Sequence, residues 1–151
     1  MLVLASQVGV AGHSLRIDHD RRKKEATINC MLQVRPLWHQ GRRVLDSKWG
    51  KGVLTESALT EIDDDFSSHE VVRTLLGHLE LLSIGVHSGV YDLDLLNRMS
   101  GFHLCSMYDR LKPYIKRVQG KLPTAYIEFE RLVTKIRLVR GSGGDSSESN
   151  T

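Results

Sequence analysis

Two Arg-x-x-x-x-His sequences, Arg73 to His78 and Arg98 to His103, carry residue types suited to phosphodiester chemistry. An arginine guanidinium can hold a phosphate while a histidine imidazole transfers a proton. With 13 Arg and 7 His in 151 residues, however, chance alone produces matches at a given spacing. These four residues are therefore the candidates only if the chain is a nuclease, and no catalytic residue is predicted otherwise.

A second group of residues, basic and aromatic, follows Tyr108 along the chain and could bind an anion. Basic side chains alternate there with aromatic ones, an arrangement that suits a small anionic ligand such as a nucleotide. A solvated basic helix face explains the same pattern. The candidate ligand-binding residues are Arg110, Lys112, Tyr114, Lys116, Arg117 and Lys121.

Other motifs that would define an enzyme are missing from the sequence. It contains no Gly-rich phosphate loop and no H-E-x-x-H motif. Asp63, Asp64 and Asp65 lack the alternating spacing of a calcium loop, and a capping or solvated role is favoured. Cys30 and Cys105 stand far apart, which favours a reducing, cytoplasmic setting over a disulfide framework. No cofactor and no metal site is predicted.

Charge is distributed in blocks along the 151 residues, although the net charge is only +3. Residues 1–43 carry a net charge of +5, residues 44–72 carry −5, and residues 110–140 carry +7. Such blocks can attract a polyanion or an acidic lipid surface, and they can equally attract a second copy of the chain. The self-complementary interpretation is preferred.

The central stretch, residues 67–109, predicts the helices around which the fold is organised. Ser67 and Glu70 have capping-box spacing, so a helix should begin near Ser68. Gly89 should end this helix and Asp92 should cap the next one. Glu80 and His78 interrupt the apolar pattern and are placed at its wet edge, with Arg98 as an alternative partner for Glu80. The buried face consists of Val72, Leu75, Leu76, Leu79, Leu82 and Val86, widened by Leu81 and Ile84.

The segments before the central stretch predict a long basic helix. Residues 1–15 are apolar, but they are too short and too diluted by glycine and polar residues for a membrane span. A charged helix should follow from Leu15 to Val34. Pro36 predicts a break near Arg35 and the start of a second helix. Residues 50–66 should form an acidic connection with one short helical turn.

After the central stretch, Gly101 predicts another break, and residues 102–118 predict an amphipathic helix kinked at Pro113. Gly120 should end that helix. Pro123 is expected at the first position of the last helix. The tail from residue 141 to residue 151 is predicted to be disordered. The predicted fold is a small all-α bundle of five to six helices over residues 16–140.

From Asp20 to Arg137 the chain resembles the bacterial family known as domain of unknown function 4760. The matching pieces are RRKKEATIN at residues 21–29, LLGHLELLSIGVHSGVYDLDLL at 75–96, YDRLKPYIKRVQ at 108–119 and PTAYIEFERL at 123–132. This resemblance implies a small helical protein without assigned chemistry, often with an N-terminal transmembrane helix. In this chain that helix is shortened and diluted.

We expect a non-enzymatic helical interaction module that forms a homo-oligomer and binds a protein partner. The first alternative is binding or sequestration of a small anionic ligand at a basic pocket between helices or subunits. The second is a metal-independent RNase, because the Arg-x-x-x-x-His spacing resembles the motif of HEPN domains. Peripheral membrane contact through residues 1–24 is a minor alternative to a purely cytoplasmic protein, and nucleic acid is disfavoured as a partner.

Overall fold

A computed structural model describes residues 2–142, with side chains from residue 11 onward. This part of the chain contains five helices and no strand, which confirms the predicted all-α bundle. The helices are α1 (Leu2–Trp49), α2 (Glu56–Asp64), α3 (Phe66–His87), α4 (Leu93–Gln119) and α5 (Ile127–Ser142). The predicted disorder of the tail concerns residues 141–151. Residues 141 and 142 are helical, and the rest of that tail lies outside the described residues.

Helix α3 occupies the centre of the bundle because it packs against α1, α2 and α5. Its six predicted core residues, from Val72 to Val86, are all buried. Leu81 and Ile84 do not widen that face as predicted, because both side chains are exposed. One apolar stripe therefore suffices for a helix that packs on three neighbours. Helices α4 and α5 complete the core with Leu104, Tyr108, Leu111, Tyr114, Ile115, Phe129, Leu132, Val133 and Ile136.

Helix α1 runs without interruption through Pro36, so the predicted break near Arg35 is wrong. A proline inside a helix removes one backbone hydrogen bond and costs about 3 kcal/mol. Here the helix packs on both sides of the proline, through Met31 before it and Leu45 after it, and both side chains are fully buried. Pro36 itself is exposed, so water can reach the backbone where the hydrogen bond is lost. Tertiary packing thus overrides the local signal.

Helix α4 also continues through a predicted break, at Gly101. Gly101 is buried, and a Cβ atom there would collide with the Asn97 side chain of α4 and come within 3.1 Å of the Arg140 guanidinium on α5. The glycine therefore leaves room for the hydrogen bond from Arg140 to Asn97 and does not end the helix. The predicted ends at Gly89, where φ is 77°, and at Gly120 are confirmed, as is the N-cap at Asp92.

The connection before α3 is more ordered than the sequence suggested. Helix α2 has nine residues instead of one turn, and it buries Ala58, Leu59 and Ile62. Helix α3 starts at Phe66 and not near Ser68, because Asp65 takes the N-cap position. The Asp65 carboxylate accepts hydrogen bonds from the Ser68 hydroxyl and backbone N–H, and these bonds lower the pKa of Asp65 to about 2.

Helix α5 begins at Ile127 and not at Pro123, because residues 121–126 form turns that end at Tyr126 with a φ of 57°. The Glu80 carboxylate of α3 accepts from the backbone N–H of Glu128 at 3.2 Å and of Phe129 at 2.7 Å. Glu80 is partly buried, and its carboxylate is hydrogen-bonded to the backbone of α5. The predictions of a solvent-exposed position or of a pair with Arg98 are therefore wrong. Glu80 caps α5 from outside that helix.

A second carboxylate, Glu130, joins α5 to α4. It accepts hydrogen bonds from the Lys116 ammonium and the Tyr108 hydroxyl, each at 2.7 Å, and from the Gln119 amide at 3.2 Å. These bonds, chiefly that from Lys116, lower the pKa of Glu130 from 4.5 to about 2. Burial, with help from Glu130, raises the pKa of Tyr108 to about 12.

The lowered pKa of Glu130 makes its contribution to stability pH-dependent. A carboxyl group with a lowered folded-state pKa stabilises the fold above its unfolded value of 4.5, and this stabilisation is lost as pH falls toward about 2. We expect Glu130→Gln to cost about 1 kcal/mol at pH 7, because the group is partly solvated. The cost should shrink between pH 4.5 and pH 2.

Urea titrations at several pH values measure this difference. Glu70→Gln is the matched control, because the Glu70 carboxylate lies 3.8 Å from Arg73 in an exposed pair. A cost for Glu130→Gln that stays constant down to pH 2.5 would contradict the assignment.

Candidate functional site

A cleft of about 320 Å³ opens between α1 and α4, above α3. Helix α1 supplies residues spaced three and four apart, which places them on one helical face. Helix α4 supplies a second such face opposite. The floor is apolar and comes from Leu75, Leu79, Leu104 and Met107. The polar lining consists of Arg35, Trp38, His39, Arg42, Asp46, Lys51, Ser100, His103, Ser106 and Arg110.

The cleft is strongly basic. Four of its side chains carry a permanent positive charge at neutral pH, and Asp46 is its only carboxylate, so the net charge of the lining is about +3 before any histidine is protonated. Arg35 and Arg42 are exposed side chains of α1. No acidic residue of the lining neutralises them, because Asp46 is already bonded to Arg110. The lining therefore favours a negatively charged occupant.

Arg110 is the most constrained cation of the cleft, with only 7% of the residue exposed. Its Nη1 donates to the Asp46 carboxylate at 2.5 Å, and its Nη2 donates to the Gly50 carbonyl at the end of α1. Its own backbone carbonyl accepts from the N–H of Leu54 at 3.1 Å. These bonds fix the position of α4 relative to the end of α1.

Two buried donors of this lining have no hydrogen-bond partner among the residues that the structure describes. They are Nε of Arg110 and Nε1 of Trp38. A buried N–H without an acceptor costs free energy, and most such groups in folded proteins are paired. Both residues also line the cleft, so these two donors lie in the walls of the basic cleft.

The six predicted ligand-binding residues are not gathered in one place. Arg110 lines the cleft, whereas Tyr114 is buried in the core beside His69. Lys116 bonds to Glu130, and Arg117 pairs with Glu56 and Asp63 of α2 at 2.7 Å each. Lys112 and Lys121 are exposed. Five of the six thus serve the fold or face solvent.

The four residues of the RNase alternative are also dispersed. Five residues correspond to about 140° around a helix, so each arginine and its histidine point in different directions. His103 lines the cleft, whereas His78 lines a separate groove of about 230 Å³ between α1 and α3. Arg73 lines neither the cleft nor the groove, and its Nη1 lies 3.8 Å from Oε1 of Glu70. Arg98 is exposed.

The acidic run at residues 63–65 has structural partners. Asp65 caps α3, and the Asp63 carboxylate accepts from Arg117 at 2.7 Å. Within residues 11–142 no group of three or more metal-ligating side chains comes together.

The N-terminal half of α1 projects beyond the bundle. From residue 11 to residue 26 no side chain is buried, and the first buried residue is Thr27, whose hydroxyl accepts from the N–H of Asp92. At 1.5 Å per residue this exposed stretch is about 24 Å long. Ile17 is 56% exposed and Ile28 is 41% exposed, and their spacing of eleven residues places them on the same side of α1.

A small all-α protein with a projecting first helix and a basic cleft is the class that these features define. The family model described as Domain of unknown function (DUF4760) matches residues 1–136, and the chain belongs to this family. No curated protein and no solved structure matches the chain. The family description carries no activity.

The resemblance to this family also implied an N-terminal transmembrane helix, and the structure does not bear this out. Among residues 2–142 no helix is long and apolar enough to cross a membrane. In α1 the apolar N-terminal residues lead directly into the charged run at residues 16–25.

Proposed function

We propose that this chain is a non-enzymatic helical module that self-associates through the N-terminal half of α1. The observation that carries the proposal is the projecting stretch from residue 11 to residue 26, which has no buried side chain. A helix of this length without tertiary packing is marginal in water. A partner that covers its apolar side would stabilise it.

A second copy of the chain fits this surface better than a charged partner would. Arg21 lies between Ile17 and Ile28 on the exposed side of α1, and its guanidinium lies 3.5 Å from Asp18 and 3.8 Å from Glu25. The projection therefore carries both signs of charge. In an antiparallel pair with Ile17 opposite Ile28, Arg21 faces Lys24, so the apolar contacts and not the charges favour the pairing, while Asp18 and Glu25 neutralise Arg21 within one helix. A strongly acidic partner would find acids interspersed with the bases.

Antiparallel pairing also places apolar residues on apolar residues. If Ile17 of each copy lies opposite Ile28 of the other, the arrangement is a closed twofold dimer, the commonest symmetry of soluble homo-oligomers. Leu32 is exposed on the same side of α1 and extends this contact along the bundle. The projection of one copy then lies on the outer side of the other copy's bundle.

Placing a negative charge at the two apolar positions tests this interface. The double variant Ile17→Glu/Ile28→Glu should raise the dissociation constant of the dimer at least about 100-fold, because each substitution occurs twice in the dimer and burial of one isoleucine contributes about 1.5–3 kcal/mol. Sedimentation equilibrium and native mass spectrometry measure it. Leu81→Glu/Leu138→Glu is the matched control, since these leucines are exposed elsewhere on the bundle.

Cysteine cross-linking tests the direction of pairing, in a background with Cys30→Ala and Cys105→Ala. In the antiparallel dimer, two copies of residue 21 are offset by about 4.5 Å along the axis and two copies of residue 14 by about 25 Å. Arg21→Cys should therefore form a disulfide-linked dimer and Ser14→Cys should not. Cross-linking of both would establish a parallel pair, and a monomer at all concentrations would refute the proposal.

A further inference from the structure

We propose that the basic cleft between α1 and α4 binds a small phosphate monoester that carries a planar or apolar group, the chemical class of the mononucleotides. Ile17 and Ile28 do not line the cleft, but Arg35 and Arg42 follow Ile17 by 18 and 25 residues and so lie on the same side of α1. The antiparallel copy would therefore lie beside the cleft, and the binding tests below use the Ile17→Glu/Ile28→Glu variant as well as the unmodified chain, so that failure of the assembly and failure of the ligand site can be told apart.

The anionic part of the ligand follows from the donors. Arg110 keeps one N–H without an acceptor although its other two hydrogen-bonding nitrogens are engaged, and Trp38 contributes a second such N–H. An oxygen anion accepts several hydrogen bonds at once, and charge-assisted bonds are stronger than neutral ones. Arg35 and Arg42, at the exposed side of α1, add charge that no acidic residue of the cleft balances.

The second part of the ligand follows from size and from the floor. The cleft, at about 320 Å³, lies at the lower end of the range for small-molecule sites, which is roughly 300–1,000 Å³. A free phosphate ion would leave most of it empty. Leucine side chains at positions 75, 79 and 104 and the indole of Trp38 offer apolar surface beside the cations. A phosphate attached to a planar or apolar group uses both surfaces.

Indole NMR gives a direct test, because the chain contains only two tryptophans. The indole N–H of Trp49 already donates to Glu61 at 2.8 Å and serves as an internal reference. The indole signal of Trp38 should shift on addition of AMP, while that of Trp49 stays in place. The full-length chain is used, and Trp49→Phe assigns the two signals. No shift with AMP or with inorganic phosphate at millimolar concentrations overturns the proposal.

Two comparisons determine which parts of the ligand are recognised. Adenosine, which lacks the phosphate, should bind at least about tenfold more weakly than AMP, because it loses the charge-assisted hydrogen bonds. Inorganic phosphate should also bind more weakly, because it leaves the apolar floor uncovered. Equal affinity for adenosine and AMP would overturn the assignment of an anion site, and equal affinity for phosphate and AMP would overturn the assignment of the second group.

Variants test whether the cleft itself is the site. Arg35→Gln and Arg42→Gln should each weaken AMP binding about tenfold, since each removes one cation from the lining. Arg43→Gln is the matched control: it removes the same charge from the neighbouring position of α1, outside the cleft. Equal losses for Arg42→Gln and Arg43→Gln would show general attraction to a basic surface and would overturn the proposal.

Trp38→Phe tests the indole donor while it keeps an aromatic ring in the lining. We expect weaker AMP binding. In the absence of ligand the melting temperature should fall only by what the smaller ring loses in packing against the core, because the indole N–H has no acceptor to lose. Unchanged binding by this variant would exclude the indole as a ligand contact and overturn that part of the site.

Discussion

Arg110→Met is expected to lower the free energy of unfolding by about 3 kcal/mol, because removal of one partner from a buried ion pair leaves the other charge without compensation. The variant leaves the Asp46 carboxylate and the Gly50 carbonyl without the donors that join α4 to the end of α1. The estimate lies at the lower end for buried pairs because the Asp46 side chain remains 25% exposed. For a chain of this length the melting temperature should fall by about 6–12 °C.

A control in the same helix isolates the effect of burial. Arg117→Met removes an arginine that also bonds to two acidic partners, but those partners, Glu56 and Asp63, are largely exposed. Exposed pairs contribute less than about 1 kcal/mol. Chemical denaturation of both variants should therefore show a much larger loss for Arg110→Met. Equal losses would mean that Arg110 does not hold α4 to α1.

Glu80→Ala is expected to cost about 2 kcal/mol, because it leaves two backbone N–H groups at the start of α5 without an acceptor. No side chain within α5 or the turn before it replaces Glu80 among the described hydrogen bonds of Glu128 and Phe129. The melting temperature should fall by about 4–8 °C.

Glu80→Gln is the informative comparison for this cap. The amide keeps one acceptor oxygen and the length of the side chain, so it should recover part of the lost stability. Thermal unfolding followed by circular dichroism measures both variants. If the glutamine and alanine variants lose the same stability, the hydrogen bonds to α5 are not the source of the effect.

The sequence alone predicted the parts of the fold that local chemistry determines. The core face of α3 followed from apolar residues three and four apart, and the ends at Gly89 and Gly120 followed from glycine. The errors at Pro36 and Gly101 have one cause. In both places a residue that usually ends a helix is kept inside one by packing against another helix, and sequence spacing contains no record of that packing.

The sequence contained the helical spacing of the candidate site's residues but not the proximity of the two helices that carry them. Arg35, Trp38, His39 and Arg42 have the spacing of one helical face, but the predicted break at Pro36 separated them into different elements. The opposite face, with His103 and Arg110, was also periodic. Nothing in either pattern indicates that α1 and α4 are neighbours, and the two unpaired donors become visible only when burial is known.

The cap that Glu80 provides also constrains how the bundle folds. Most helices begin with a side chain from their own first turn, so their start can form locally. The start of α5 instead depends on a residue 48 positions earlier in the chain. The start of α5 gains these two hydrogen bonds only when α3 is in place, so the cap adds to the cooperativity of the bundle and not to the stability of α5 alone.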